Sequence, residues 1–208
     1  HRGSSLTLRH VDFDANKGEE QYIYVSGTLI IDIDVYIRRF HRFIHIIPGG
    51  HVIWRGGHTE DVDEVIYNEG GTVEIEGGTF GGRITNLGGG TINITGGTFN
   101  GGIENYGTLT IHGGGGGVII RGNGGSGIIN RSGGNITITG NVTITHDGDS
   151  GSSGTIYDIE NHGENGILRI EDGVTIGING GGSIWSETDI WLGGDVKVTD
   201  IHIKKGVS

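Results

Sequence analysis

The stretch Ile103-Glu-Asn-Tyr-Gly-Thr-Leu-Thr-Ile111 reads as a short strand, a turn at Asn105 and a second short strand. The same phrase recurs along the chain, and successive copies begin between 18 and 31 residues apart. A strand–turn–strand phrase that repeats with variable spacing indicates a solenoid, whose stacked coils carry loops of different length. Each copy begins with an isoleucine: Ile23, Ile44, Ile66, Ile84, Ile103, Ile128, Ile159 and Ile184.

Three short strands are predicted in each coil. The first is the Ile-x-Asn strand, the second is Thr72–Ile75 with its copies, and the third is Gly78–Phe80 with copies such as Val142–Ile144. Apolar residues alternate with polar ones in each strand, so one face of every strand points inward. Stacking of equivalent strands therefore predicts an interior of Ile, Val and Leu columns.

Asparagine occupies the same position of the turn in five successive copies. Asparagine tolerates a left-handed turn conformation, and stacked asparagines can hydrogen-bond from one coil to the next. The column is interrupted by Val25 and Ile46 upstream and by Ser186 downstream. We predict a hydrogen-bonded ladder that consists of Asn68, Asn86, Asn105, Asn130 and Asn161.

The asparagine turn, the Gly-Thr-Leu/Val/Ile strands and the Gly-Gly-Thr-Phe phrases resemble a right-handed parallel β-helix. They are similar in particular to the glycine-rich repeats of bacterial surface adhesins and autotransporter-type proteins. The resemblance covers about residues 20–200 and implies an all-β, single β-helix domain of about eight coils over residues 1–208, with residues 1–20 as a partial first coil. It is specific for fold and uninformative about function, because β-helices support unrelated activities.

The amino-acid composition limits which partners the protein can bind and in which compartment it is expected. The formal net charge of −11 disfavours nucleic acid and anionic membranes, which need a basic surface. No apolar run approaches the ~18 residues of a membrane span. The absence of cysteine excludes disulfides and fits an extracellular or cell-surface protein. No leader is visible before His1, so we expect either a processed chain or a fragment.

The segment 36–58 differs from the other coils because it concentrates arginine, histidine and aromatic residues. Arginine and aromatic residues are favoured anchors of protein interfaces, and they also suit an acidic glycan. An alternative interpretation is local, with Ile37, Phe43, Ile44, Ile46 and Val52 in the core and the arginines on a solvated face. The candidate interface residues are Arg38, Arg39, Phe40, His41, Arg42, Phe43, His45, Trp54 and Arg55.

Metal binding is not expected from this segment, because His41 and His45 would lie ~13 Å apart along a strand and no HExxH spacing is present. The loop Asp147–Gly154 is rich in oxygen ligands but lacks the residue order of a calcium loop. Calcium at Asp147 and Asp149 is left open. No cofactor is predicted.

Enzyme activity is not predicted, although carboxylates occur in pairs that would share a strand face roughly 7 Å apart. They are accompanied by no arginine–lysine–aspartate constellation. Outward threonines of the second strand suggest an ice-binding face, but Glu74, Glu76, Arg169 and Glu171 interrupt it. The carboxylate pairs are Asp12/Asp14, Asp32/Asp34 and Asp61/Asp63.

Both ends of the chain read as strands. Leu6–Leu8 and Val11–Phe13 begin the first coil, and Val196–Val198 and Ile201–Ile203 form the last one. Neither end offers an amphipathic helix as a cap, and uncovered strand edges pair with other chains. We expect an extracellular structural protein that assembles head to tail. The alternative is an adhesin-type module, cut from a longer β-helix, that recognises a glycan or a surface protein.

Overall fold

The computed structural model describes residues 3–17, 21–147, 156–162, 164, 166–177 and 182–204. These residues form 24 strands, numbered β1 to β24 along the chain, that pair in parallel from coil to coil. The described residues contain no helix, and so none long and apolar enough to cross a membrane.

Two sheets form the walls of the solenoid. The narrow sheet has nine strands: β3 (Ile23–Val25), β6 (Arg42–Ile46), β9 (Glu64–Asn68), β12 (Arg83–Asn86), β15 (Ile103–Asn105), β17 (Ile128–Asn130), β19 (Ile159–Asn161), β22 (Ser183–Ser186) and β24 (Asp200–Ile203). It takes one strand from each coil, and nine stacked strands make about eight turns.

The wide sheet has fifteen strands in two adjoining columns. The first column holds β1 (Ser5–Leu8), β4 (Thr28–Ile31), β7 (His51–Trp54), β10 (Thr72–Ile75), β13 (Thr91–Ile94), β20 (Ile167–Ile170) and β23 (Ile190–Leu192). The second holds β2 (Asp12–Asp14), β5 (Tyr36–Arg38), β8 (His58–Glu60), β11 (Thr79–Phe80), β14 (Gly97–Phe99) and β21 (Val174–Ile176). Two long strands run through both columns, β16 (Thr108–Asn123) and β18 (Asn135–Asp147).

The register of the narrow sheet matches the register predicted from the sequence. All eight isoleucines that begin the repeats lie directly beside one another in successive strands, and Ile201 continues the file after Ile184. The variable spacing is taken up outside the strands. The prediction of an all-β parallel solenoid of about eight turns is therefore confirmed.

The core is built from the inward side of every strand. In the first column of the wide sheet, Val52, Val73 and Ile92 are adjacent and fully buried. Burial of each such side chain stabilises the fold by about 1.5–3 kcal/mol relative to exposure. An aromatic stack runs through the same interior, with ring centroids 6.4 Å apart for Phe43–Trp54, 4.8 Å for Trp54–Phe80 and 4.7 Å for Phe80–Phe99.

The asparagine ladder is also confirmed. The amide nitrogen of each asparagine donates to the side-chain oxygen of the next, at 2.9 Å for Asn68–Asn86, 2.8 Å for Asn86–Asn105, 3.0 Å for Asn105–Asn130 and 2.8 Å for Asn130–Asn161. All five asparagines are fully buried. Because buried amides need partners, the ladder holds these five coils in one register.

Glycine makes room for the ladder. A Cβ atom on Gly90 would lie 2.3 Å from Oδ1 of Asn86 and 2.6 Å from Nδ2 of Asn68. A Cβ atom on Gly134 would lie 2.2 Å from Oδ1 of Asn130. These distances are shorter than any tolerable contact, so a side chain at either glycine would push the amides apart.

Candidate interaction surfaces

The arginines of segment 36–58 pair with carboxylates of neighbouring coils. Arg38 pairs with Asp12, and Nε of Arg39 donates to Asp14 at 2.6 Å. Arg42 donates to the buried carboxylate of Glu64 at 2.6 Å and lies 4.1 Å above the ring of Tyr67. Arg55 lies 4.0 Å from Glu76. The segment is therefore less basic as a surface than its composition suggests.

Three of the segment's four histidines, His41, His45 and His51, also lie within hydrogen-bonding distance of carboxylates. Nδ1 of His41 lies 2.7 Å from Asp63, and Nε2 of His45 lies 2.9 Å from Glu69. The two side chains have separate partners, and the described ranges contain no group of three or more histidine, aspartate or glutamate residues that could hold a metal ion.

The aromatic residues of the segment lie in the core. Phe43 and Trp54 are fully buried and Phe40 is 8% exposed. A partner cannot touch them while the coil is intact, so the structure removes Phe40, Phe43 and Trp54 from the candidate interface. Their burial agrees with the local interpretation for Phe43 and extends it to Phe40 and Trp54.

A stack of rings lies beside this segment on the outer face of the narrow sheet. The rings of Tyr24 and His45 are 4.9 Å apart, and those of His45 and Tyr67 are 5.1 Å apart. The residues are direct neighbours in register on β3, β6 and β9. Tyr24, on the outermost strand, is 61% exposed.

The paired aspartates are engaged in ion pairs. Asp12 and Asp14 bind Arg38 and Arg39, and Asp32 binds Arg9. Asp34 lies 3.4 Å from His10, and both Asp61 and Asp63 bind Lys17 at 2.8 Å. These contacts are those of carboxylates that link coils. Residues 148–155 of the candidate calcium loop, including Asp149, lie outside the described residues, and so does the Asp147 side chain.

The Asp63 contacts predict a pH-dependent contribution to stability. Hydrogen bonds from Lys17 and then His41 hold the pKa of Asp63 below its ordinary value of 3.8. A carboxylate whose pKa is depressed by folding stabilises the fold above its unfolded-state pKa, and this contribution is lost as pH falls through the folded-state pKa. Asp63→Asn should therefore lower the urea midpoint near neutral pH.

This prediction is tested by comparing the urea midpoints of wild type and Asp63→Asn from about pH 6 to about pH 3. We expect a constant difference at the upper end that shrinks below the ordinary aspartate pKa of 3.8. A difference that stays constant down to the lowest pH would show that the ion pair contributes no such stability.

Among the described residues, the strands at both ends of the solenoid have one unpaired edge. β3 and β24 are the outermost strands of the narrow sheet, and in the wide sheet β1 and β2 lie at one end and β23 at the other. Some inward positions that are buried in the interior coils are exposed here, although Leu8 and Val25 remain buried. Leu6 is 53% exposed, whereas its neighbour Leu29 is 2% exposed, and Leu192 is 40% exposed beside the fully buried Ile170.

Comparison with known proteins finds no matching family model, curated protein or solved structure.

Proposed function

We propose that this chain is an extracellular structural protein whose copies stack end to end into a stiff rod or filament. The observation that carries this proposal is the pair of open ends, where inward apolar residues such as Leu6 and Leu192 face solvent. Each end also leaves the backbone edges of both sheets unpaired within the described residues. Unpaired edges of this kind are templates for the strands of another chain.

End-to-end stacking gives a filament because the two ends of a solenoid are different surfaces. A contact between one end and the opposite end of the next copy repeats without closing. The straight file of isoleucines in the narrow sheet supports this geometry, since one more coil continues every column. Such a rod acts through its shape and stiffness.

An extracellular or cell-surface location is proposed because the sequence lacks the side chains that are most sensitive to oxidation. Cysteine and methionine are both absent. These are the two side chains most readily altered by oxidation. A protein exposed to an oxidising exterior benefits from lacking both.

Light scattering coupled to gel filtration, across a range of protein concentrations, tests the proposal. Wild type should grow in mass with concentration. Ile203→Lys should remain monomeric, because Ile203 is 58% exposed on the edge strand β24 and a lysine there would be buried unpaired in the contact. Ile167→Lys is the matched control, since Ile167 is also 58% exposed but lies on β20, between β18 and β23.

Wild-type chain that remains monomeric at every concentration would overturn the proposal. It would favour the alternative of a binding module that recognises a glycan or a surface protein. Equal loss of association in Ile167→Lys and Ile203→Lys would also count against it, because the contact would then not depend on the strand edge.

A further inference from the structure

We infer that the copies join in one fixed register, in which β24 of one copy pairs with β3 of the next and His202 stacks on Tyr24. This inference rests on the proposed end-to-end assembly and specifies the surface that each copy recognises on the other. The partner is a second copy of this chain.

The inward columns set the register. In the narrow sheet, the file of isoleucines that ends at Ile201 begins at Ile23, so the next coil places Ile23 beside Ile201. In the wide sheet, the column that ends at Leu192 begins at Leu8. A slip of one residue would turn these side chains outward, so burial of apolar surface selects this alignment.

The outward column of the narrow sheet adds a ring contact. Tyr24, His45 and Tyr67 begin this column, and Trp185 and His202 end it. Tyr24 already packs against His45 with centroids 4.9 Å apart and is 61% exposed on its outermost strand. In the inferred register His202 takes the same relation to Tyr24 from the other side. Aromatic pairs of this kind add to association beyond the area they bury.

The outward column of the second half of the wide sheet adds a charge contact. It begins with Asp12 and Tyr36 and ends with Thr175 and Lys197. Lys197 is exposed and forms no ion pair with any residue in the described ranges. The next coil in this column would be Asp12 of the neighbouring copy, which already accepts Arg38 from its own chain. The contact would complete an alternation of charge across the junction.

Charge also selects orientation. In a head-to-head contact the Asp12–Arg38 and Asp14–Arg39 ion pairs of both copies would meet at one interface, and Lys197 would gain no partner. The head-to-tail contact instead brings Lys197 to the carboxylate of Asp12, and such complementary charges favour one orientation over the other. The same side chains therefore favour a polar filament, in which every copy points the same way.

Because the chain contains no cysteine, disulfide cross-linking can measure the register directly. Neighbouring parallel strands are about 4.8 Å apart, which falls in the disulfide range of about 4.4–6.8 Å between Cα atoms. The matched variant is Tyr24→Cys with His202→Cys. A second matched variant is Thr7→Cys with Trp191→Cys, because Thr7 and Trp191 are the two ends of one outward column of the wide sheet. This variant leaves Tyr24 and His202 unchanged and so keeps the ring contact.

The mismatched control is Thr7→Cys with His202→Cys, which places the two thiols on different sheets. Under mild oxidation, both matched variants should give a ladder of multimers on a non-reducing gel, and the mismatched control should not. If wild type assembles but neither matched variant forms the ladder, or if the control forms it equally, the register is wrong while assembly stands. If wild type does not assemble at any concentration, both the register and the assembly are refuted.

Discussion

Asn105→Ala should lower the free energy of unfolding by about 2–5 kcal/mol, because it leaves buried polar groups without partners at about 1–3 kcal/mol each. The Asn105 amide donates to Asn130 at 3.0 Å and to the Gly107 carbonyl at 3.0 Å, and it accepts from Asn86 at 2.8 Å. Asn130 and Gly107 lose a donor and water cannot readily replace it, since the site is fully buried. Urea unfolding followed by circular dichroism measures the change.

Asn93→Ala is the matched control for the ladder. Asn93 lies on the outward face of β13, is half-buried, and makes no side-chain hydrogen bond with a described residue. Its replacement should change stability by no more than about 0.5 kcal/mol. Equal losses for Asn93→Ala and Asn105→Ala would mean that the ladder contributes nothing particular.

Trp54→Ala should be comparably destabilising, at about 3–5 kcal/mol, because it opens a large cavity in the aromatic stack. Trp54 is fully buried, and its ring lies 4.8 Å from that of Phe80 and 6.4 Å from that of Phe43. Phe43 and Trp54 belong to one coil and Phe80 belongs to the next, so the cavity would loosen contacts within a coil as well as between two coils. Thermal and urea unfolding give the loss.

Trp54→Phe separates volume from polarity at the same site. Nε1 of Trp54 is buried without a hydrogen-bond partner among the described residues, which is itself unfavourable. Phenylalanine removes that group while it keeps most of the ring, so we expect a cost below about 1.5 kcal/mol. A loss as large as that of Trp54→Ala would indicate that the indole nitrogen has a stabilising role.

The stacking could be predicted from sequence because a parallel solenoid repeats each inward position at one place in every coil. The neighbours of Ile66, Ile84 and Asn86 in the next coil can therefore be predicted from the repeat, although the loops between copies differ in length. The burial of Trp54 also had a signal. Val52 and Trp54 alternate on one strand, and Trp54 lies opposite Ile75, a core position.

No comparable pattern in the sequence predicted that the arginines of segment 36–58 would pair with carboxylates. Arg39 meets Asp14, which lies 25 residues earlier in the chain, only because the coils stack at that distance. The spacing between copies varies, so no fixed offset identifies such pairs before the loops are placed. Composition alone overstated the positive charge of this surface for the same reason. It counts the arginines but not the carboxylates that pair with them in neighbouring coils.

Electron microscopy of concentrated wild-type chain tests the central claim, that coils continue across the junction between copies. Nine narrow-sheet strands at about 4.8 Å each predict rods with an axial repeat of about 43 Å. A continuous 4.8 Å spacing along the rod axis, within and between copies, should accompany that repeat. Isolated particles one copy long, or copies that associate side by side, would contradict it.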